Sequence, residues 1–360
     1  MELRAIPNGR RRGPRPVIAV VVPAFRTEPH IRGVLATIPE FVSLVVVVDD
    51  GSPDRTADIV ATMRARDPRI VLHRHEHNQG VGAAVLAGYR IAADRGADII
   101  VKMDGDGQMD PAHLARLVDP IVRGRADYAK GNRFLHAREL VAMPFVRRVG
   151  NLGLSFFTKL ASGYWSVFDP TNGYTAIHAR ALAVLETDRL ARRYFFETSM
   201  LIELGVAGAV VKDVPMPARY GNEVSSLSVR RVLREFPPRL VRGCLRRIWM
   251  QHYLRDFTAL AMLASVGLVL AACGTAWGAA WWIASSRSGV TASTGTVMLA
   301  VLPLILGVQC LLHALLLDLQ NEPRRPLHRE AAEAVELAAR YDEGPDAETV
   351  SGQAEGRRAA

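Results

Sequence analysis

A short acidic loop, MDGDGQ at residues 103–108, is the segment best suited to chemistry. Asp104 and Asp106 are two residues apart, and an extended chain directs side chains at that spacing to one side. Gly105 and Gly107 have no side chain, so another oxygen-rich group can approach closely. Two such carboxylates suit Mg²⁺ or Mn²⁺, whose remaining ligands are normally water and substrate phosphates. The loop therefore predicts a metal site that also holds a diphosphate.

Two other interpretations of this loop can be compared by spacing. An EF-hand calcium loop has Gly at its sixth position and Glu at its twelfth. Counted from Asp104, those positions hold Met109 and Ala115, which excludes a calcium loop. A polar turn that caps a helix beginning near Asp110 stays open as an alternative.

The hydrophobic pattern predicts the elements that position the loop. Short apolar runs rich in β-branched residues predict strands at 17–22, 44–48, 70–73 and 99–103, and the segments between them predict helices at 29–38, 56–66 and 81–95. Such alternation is typical of an α/β fold, a Rossmann-like, mostly parallel sheet with helices on both faces. Ligands bind these sheets beyond the carboxyl ends of the strands, which is where the acidic loop lies.

Polar residues also follow the second and third strands. Asp49 and Asp50 come directly after the second strand, so we expect them at the same sheet edge as the acidic loop. His73, His75 and His77 alternate at the end of the third strand. Because a single carboxylate accompanies them, we do not expect a histidine metal site there.

Composition limits the class of protein. At about 150 residues per domain, 360 residues allow roughly two domains, and 49% hydrophobic with 22% charged residues excludes a collagenous or mostly disordered chain. A formal net charge of +9 suggests phosphorylated, anionic-lipid or nucleic-acid partners. The three cysteines, Cys244, Cys273 and Cys310, leave residues 1–240 without a disulfide or cysteine zinc site, which fits a reducing compartment.

Two stretches near the C-terminus are long and apolar enough to cross a membrane. Residues 257–284 and 294–317 carry no charge, and at about 1.5 Å per helical residue each exceeds the roughly 30 Å hydrocarbon core. They predict transmembrane helices at 257–284 and 294–319. Arginines precede the first span and follow the second, whereas the loop between them holds only Arg287. The positive-inside rule then predicts a two-span protein of the inner cell membrane with both termini cytoplasmic.

These spans divide the chain into segments. Residues 1–16 are basic and flexible and lack the features of a signal peptide, and residues 17–222 form the α/β domain. Residues 223–256 predict a basic amphipathic segment on anionic headgroups, and residues 320–360 a flexible cytoplasmic tail. Since the arginine-rich segment adjoins the membrane, we expect the lipid bilayer as its partner and no nucleic acid.

Six motifs taken in chain order resemble a known family. They are VVVPAF, VVVVDDGSPDRT, NQGVGAA, MDGDGQMDP, GNRF and FDPTNGY. In this order they resemble the family 2 glycosyltransferases of the type A fold, in particular the polyprenyl-phosphate sugar transferases typified by dolichol-phosphate mannose synthase and their membrane-anchored bacterial members. The resemblance covers residues 17–220 and implies a catalytic domain at 17–222.

The resemblance implies a role for each matching position. The positions that hold the base and ribose of a nucleotide sugar are matched by Pro23, Phe25, Glu28, Asp49 and Asp50. Those that hold the metal and diphosphate are matched by Asp104, Asp106 and Gln108, with Gly105 lining the donor site and Arg133 at the diphosphate-binding arginine. Asp169 heads the family's D-x-T-x-G motif. By this resemblance Asp106, Asp169 and Arg133 are the expected catalytic residues.

Two departures from the family pattern bear on these roles. Arg26 and Thr27 stand between Phe25 and Glu28, where the family usually has Asn-Glu directly after the aromatic residue. After Arg219 the chain also lacks the lysine that the family often carries. We therefore expect Arg219 or an arginine of the juxtamembrane segment to supply that charge.

The nature of the acceptor determines the chemistry required of the site. Breaking the bond between sugar C1 and phosphate builds negative charge on the departing nucleoside diphosphate, which a divalent cation and Arg133 can stabilise. A polyprenyl phosphate is already anionic near pH 7 and needs no general base. A sugar hydroxyl on a lipid-linked or polysaccharide acceptor needs one, and Asp169 or Glu197 is then the candidate.

We expect an inverting transfer of one sugar to polyprenyl phosphate at the cytoplasmic membrane face. The alternatives are transfer to a hydroxyl and an inactive scaffold that keeps the fold. Arg147 and Arg148 precede an apolar stretch, which makes them candidate contacts for the acceptor phosphate; solvated or headgroup-facing arginines are an equal alternative.

Overall fold

The computed structural model describes residues 15–133, 145–217, 229–330 and 333. Seven strands form one sheet: β1 (Ile18–Ala24), β2 (Leu44–Asp49), β3 (Ile70–Arg74), β4 (Ile99–Lys102), β5 (Tyr128–Asn132), β6 (Thr175–His178) and β7 (Val211–Pro215). The four strands predicted from the hydrophobic pattern are confirmed to within two residues at each end. The last three were not predicted.

The sheet has the order β3-β2-β1-β4-β6-β5-β7. Strands β1 to β4 are parallel, β6 is antiparallel to both β4 and β5, and β7 is parallel to β5. This mostly parallel α/β sheet confirms the predicted fold class. The carboxyl ends of β1, β2 and β4 meet at one edge, as expected.

Helices cover both faces of the sheet. They are α1 (Ile31–Ala36), α2 (Thr56–Arg64), α3 (Val81–Asp94), α4 (Leu114–Val122), α5 (Phe145–Ser162), α6 (Ala179–Ala183) and α7 (Phe196–Ala207). In β1 alternate residues enter different cores: Val20 and Val22 pack with α1, α2 and α4, whereas Ala19 and Val21 pack with α3 and α7. This period of two between two apolar layers explains why β1 is hydrophobic throughout.

Three long helices follow the sheet domain: α8 (Val229–Trp249), α9 (Ala259–Ser288) and α10 (Thr294–Gln320), with a π-helical turn at Met250–Leu254 between α8 and α9. Helices α9 and α10 are long and apolar enough to cross a membrane, and most of their surface is exposed rather than buried within the protein. They pack closely because small residues face each other: a side chain on Gly307 would clash with Ala271.

Residues 321–330 belong to the segment predicted to be a flexible tail, yet the structure places them against the sheet domain. The Ser166 amide donates to Glu322 over 2.6 Å. The fully buried Asp127 accepts hydrogen bonds from the backbone amides of Leu327 and His328, and His328 Nδ1 lies 2.7 Å from the same carboxylate. A buried carboxylate needs such partners, and these contacts fix the start of the segment.

Candidate active site

The candidate site is built at the edge where β1, β2 and β4 end. The register sets Ala24 of β1 level with Asp49 of β2, and Val21 level with Lys102 of β4. The chain leaving β4 therefore passes beside the end of β1, and the Gly105 amide donates to Pro23 O over 3.3 Å. The acidic loop is positioned by this contact between two strands.

The predicted metal ligands lie together on this loop. Asp104 and Asp106 are both half-buried, and Asp106 accepts a hydrogen bond from the Gln108 amide over 3.0 Å. Within the described ranges no group of three or more His, Cys, Asp or Glu side chains is already assembled around a common point. Two reachable carboxylates fit a divalent cation that takes its other ligands from water and a diphosphate.

A buried lysine organises the base of the site. The Lys102 ammonium lies 2.7 Å from Asp104 Oδ1 and 3.2 Å from Glu197 Oε1, with only 1% of its side chain exposed. Although burial acts to lower it, the two carboxylates raise the pKa of Lys102 above its ordinary value. Gly173 keeps this space open, since a Cβ there would lie 2.4 Å from Lys102 Nζ. Lys102 thus fixes both carboxylates.

Arg133 and Asp169 form the second charged pair of the site. Arg133 donates from Nε to Asp169 Oδ2 over 2.8 Å and from Nη2 to Oδ1 over 3.2 Å, and the carboxylate is fully buried. The Thr171 hydroxyl also donates to Asp169. This two-pronged pairing fixes the guanidinium plane. Asp169 is therefore placed to orient the predicted diphosphate-binding arginine.

A buried polar layer lies beneath these pairs. Lys130 of β5 donates to Asn172 O, and Asp213 of β7 accepts hydrogen bonds from Asn132 and from the Phe168 amide. Burial lowers the pKa of Lys130 to about 8, against the opposing effect of nearby carboxylates, and burial raises the pKa of Asp213 to about 6.

Sequence reasoning missed three residues of the site: Lys102, Lys130 and Asp213. The available signal was a lysine at the end or centre of an apolar strand, IIVK in β4 and YAKGN in β5. A lysine is rarely buried without a charged partner, so such a position indicates a buried ion pair.

The acids after β2 have a different environment. Asp49 is buried, accepts from the Ser52 amide over 3.2 Å and lies 3.0 Å from Arg74 Nε. Asp50 accepts from the Gln79 and Gly80 amides over 2.9 and 2.8 Å. His75 Nδ1 is 2.7 Å from Asp50, so this histidine is part of the same network. Asp50 holds the loop that leads into α3, and Asp49 holds the turn after β2 and the end of β3.

A cavity of about 380 Å³ adjoins this loop. Its lining includes three residues predicted to contact a nucleotide, Pro23, Phe25 and Asp50, together with Asn78, Gly80, Arg193 and Tyr194. Phe25 is 40% exposed and offers an aromatic face. A cavity with an aromatic wall and a few polar groups suits a nucleoside base.

The structure places Glu28 differently from its expected role. Its carboxylate accepts from the Arg55 amide over 3.0 Å and lies 3.2 Å from Arg55 Nε, and Glu28 does not line the 380 Å³ cavity. The two extra residues before it carry it towards α2. Arg26, one of them, adopts a φ of 55°.

The glycines that open α3 serve packing. A Cβ on Gly82 would lie 2.2 Å from Ala191 O, and one on Gly80 would lie 2.5 Å from Arg192 O. Both glycines therefore allow the start of α3 to pack closely against the backbone at residues 191–192.

Three predicted acceptor contacts have no described side chain. Arg147 and Arg148 lie on helix α5, and their side chains fall outside the described residues. Arg219 lies outside the described residues altogether. Their role stays a prediction.

Comparison with known proteins identifies the family. Residues 19–185 match the family described as glycosyl transferase family 2. The chain is 32% identical over 217 residues to the UDP-N-acetylglucosamine–dolichyl-phosphate N-acetylglucosaminyltransferase of Methanococcus voltae, a match covering 57% of this chain and 86% of the relative. It is 34% identical to the undecaprenyl-phosphate mannosyltransferase of Micrococcus luteus, covering 50% and 72%. The chain belongs to glycosyl transferase family 2 and is a glycosyltransferase.

The chain is also similar to a solved structure. A mannosyltransferase from Pyrobaculum calidifontis, solved in complex with GDP-mannose and Mn²⁺, is 19% identical, with 83% of this chain and 87% of that chain covered and a TM-score of 0.46. The Methanococcus and Micrococcus relatives are named as transferases that act with dolichyl phosphate and undecaprenyl phosphate.

Proposed function

We propose that this glycosyltransferase moves one sugar from a nucleotide sugar to a polyprenyl phosphate at the cytoplasmic face of the inner cell membrane, with inversion at the sugar C1. The names of the Methanococcus and Micrococcus relatives, which specify dolichyl phosphate and undecaprenyl phosphate, support this acceptor class. The arrangement of charges in the site supports it independently.

The observation that carries the proposal is the pairing of both candidate bases with cations. Accepting a proton would weaken the two-pronged pairing of Asp169 with Arg133. Glu197 lies 3.2 Å from the buried ammonium of Lys102 and would lose that interaction in the same way. A hydroxyl acceptor requires a carboxylate that takes its proton, whereas a lipid phosphate attacks as an anion. This site is better matched to the phosphate.

The nucleotide sugar lies along the sheet edge with its base and its diphosphate at different places. The 380 Å³ cavity beside Phe25 takes the base, which directs the diphosphate towards Asp104 and Asp106. Arg133, oriented by Asp169, stabilises the negative charge that develops on the leaving diphosphate. Attack from the face opposite the departing phosphate then inverts C1.

Mg²⁺ or Mn²⁺ fits the donor set of the acidic loop. Asp104, Asp106 and Gln108 would hold the cation, which would neutralise part of the diphosphate charge. Lys102, 2.7 Å from Asp104 Oδ1, orients this carboxylate for the role.

The C-terminal helices support a membrane location next to the acceptor. Arg247 of α8 is buried and paired with Asp318 near the end of α10, at 2.7 Å. Trp165, four residues before Asp169, also donates to Asp318. These contacts join the proposed anchor to the loop that carries Asp169, so the site is held at a fixed place relative to the bilayer surface. An anchored enzyme meets a lipid acceptor at high effective concentration.

The test is a transfer assay with the full chain purified in detergent. A panel of radiolabelled nucleotide sugars is incubated with undecaprenyl phosphate and Mg²⁺ or Mn²⁺, and lipid-linked label is extracted. We expect one donor to give a product that mild acid releases, and Asp106→Asn to abolish it. Asp94→Asn is the matched control, because Asp94 is exposed at the far end of α3.

Other outcomes contradict the proposal in distinct ways. Donor hydrolysis or tight donor binding without labelled lipid would reassign the acceptor to a hydroxyl. Undetectable binding of nucleotide and of Mn²⁺ would indicate a scaffold without activity.

A further inference from the structure

A second and larger cavity, of about 800 Å³, lies between α7 and α8. Six arginines line it: Arg189, Arg192, Arg193, Arg239, Arg242 and Arg246. Among the described residues that line it, the acidic side chains are those of Glu203 and Glu235. The cavity wall therefore has an excess of positive charge, and Arg193, which also lines the 380 Å³ cavity, is the one arginine of this set with a role described above.

Some of these arginines are already paired. Arg246 bridges Glu203 and Glu186, and Arg239 lies 3.8 Å from Glu235. Arg192 and Arg242 are exposed, and within the described part of the chain neither has an ion-pair partner. Exposed guanidinium groups without an ion-pair partner bind phosphate well, because two of their coplanar N–H groups can donate to two phosphate oxygens at once. The chemistry of the cavity thus indicates an anionic, phosphate-bearing ligand.

Helix α8 places the cavity at the level of lipid headgroups. Val241, Leu245 and Trp249 recur every four residues and are 58%, 64% and 55% exposed, which forms an apolar stripe directly before the first membrane-spanning helix. The residues of α8 that line the cavity occupy an adjacent face of the helix. At about 3.6 residues per turn, Arg242 lies at the boundary between this face and the apolar stripe. A stripe of this kind enters the headgroup region of a bilayer.

Helix α7 lies between this cavity and the pair of Lys102 and Glu197, although the cavity shares Arg193 and Tyr194 with the 380 Å³ cavity. Glu197 contacts Lys102 on one face of the helix, whereas Ile202 and Glu203 line the cavity from the other face, five and six residues later along the chain. A ligand in the cavity is therefore not positioned for attack on a sugar bound at Asp104.

We propose that the arginine cavity between α7 and α8 binds the phosphate headgroup of an anionic bilayer phospholipid, distinct from the acceptor of the reaction. The inference depends on the membrane location in the proposed function but not on sugar transfer. Lipid bound there ties α8 to the surface and stabilises the loop at residues 191–195 that borders both cavities.

The test measures binding rather than activity. The full chain in dodecyl maltoside is titrated with dihexanoyl-phosphatidylglycerol and with dihexanoyl-phosphatidylcholine in a calorimeter. We expect saturable binding of the anionic lipid only. The double variant Arg192→Gln/Arg242→Gln should weaken it by at least tenfold, since each lost charge-assisted bond to phosphate weakens binding by about that factor. Arg193 is left intact because it lines the donor cavity.

Matched controls distinguish this site from general charge. Arg64→Gln/Arg116→Gln removes the same charge at exposed positions outside the cavity and should bind as the wild type does. Equal binding by both double variants, or equal binding of the two lipids, would overturn the proposal. Competition by farnesyl phosphate for the same site would assign the cavity to the acceptor and overturn it as well. If the double variant does not fold, Arg242→Glu alone repeats the test at the exposed edge of α8.

Discussion

Two acidic loops lie at the same sheet edge but use their carboxylates differently. Asp49 and Asp50, at the end of β2, are buried and bound to backbone amides, Arg74 and His75. Asp104 and Asp106, after β4, are half-exposed, with Lys102 as the buried partner of Asp104. In the first loop Asp50 forms part of the wall of the 380 Å³ cavity, whereas the second loop leaves both of its carboxylates partly accessible. Residue type and position in the sheet alone do not separate these two uses.

The acidic loop after β4 should give the largest effect on activity. Asp106→Asn removes a charge that we expect to hold the metal and diphosphate, so kcat/KM for sugar transfer should fall by about 100- to 1,000-fold, the usual cost of losing one charge-stabilising group. Because Asp106 is half-exposed, the melting temperature should stay near that of the wild type. A large loss of thermal stability would contradict a ligand-binding role.

Asp169→Asn should reduce activity less than Asp106→Asn does, and it should do so by weakening the binding of the donor. The variant keeps the shape of the side chain but loses the charge that orients Arg133. We expect the KM for the nucleotide sugar to rise by about tenfold or more, the loss of one charge-assisted pair. Asp119→Asn, which loses an exposed pair with Arg123, is the control. If donor binding stays intact while kcat disappears, Asp169 acts as a base instead.

A substitution in the loop after β2 should lower the stability of the protein. Asp50→Asn weakens hydrogen bonds from the Gln79 and Gly80 amides to a buried charge, which costs about 1.5–3 kcal/mol. A lower melting temperature is expected, whereas Asp58→Asn, exposed on α2, should leave it unchanged. Normal stability with a complete loss of donor binding would remove the distinction between the two loops.

Asp213 makes the stability of the folded protein depend on pH. Burial raises its pKa to about 6, so between roughly pH 4 and 6 the folded protein holds a proton that the unfolded chain has released. The stability contributed by this group is therefore fully present below about pH 4 and declines as pH rises to 6. The melting temperature of Asp213→Asn minus that of the wild type should therefore increase from about pH 4 to 6 and stay constant above about pH 6. A difference that does not vary with pH would contradict the assignment.

Glu28→Gln should have the smallest effect. Its partner Arg55 is mostly exposed, and such surface pairs contribute about 0–1 kcal/mol. We expect the KM for the donor to change by less than about twofold, in contrast to Phe25→Ala, which removes a wall of the 380 Å³ cavity and should raise it several-fold. A rise in KM for Glu28→Gln equal to that for Phe25→Ala would restore Glu28 to the nucleotide site.

The sequence predicts the first half of the fold better than the second. Strands β1 to β4 are short apolar runs separated by helices, so their period and spacing suffice. Among the last three strands, β5 and β7 carry polar residues such as Lys130, Asn132 and Asp213, which find their hydrogen-bond partners only in the folded protein. The same limit applies to the site: the acidic loop is evident from its spacing and Lys102 from its place at the end of an apolar strand, but only the folded structure shows that Glu197 of α7 is one of its partners.

The central claim is that the acceptor is a lipid phosphate that attacks without a general base. The most direct measurement compares two acceptors of the same chain length, undecaprenyl phosphate and undecaprenol, with the donor found in the panel. We predict labelled lipid from the phosphate and none from the alcohol. Transfer to the alcohol at a comparable rate, lost in Asp169→Asn with donor binding intact, would contradict the claim.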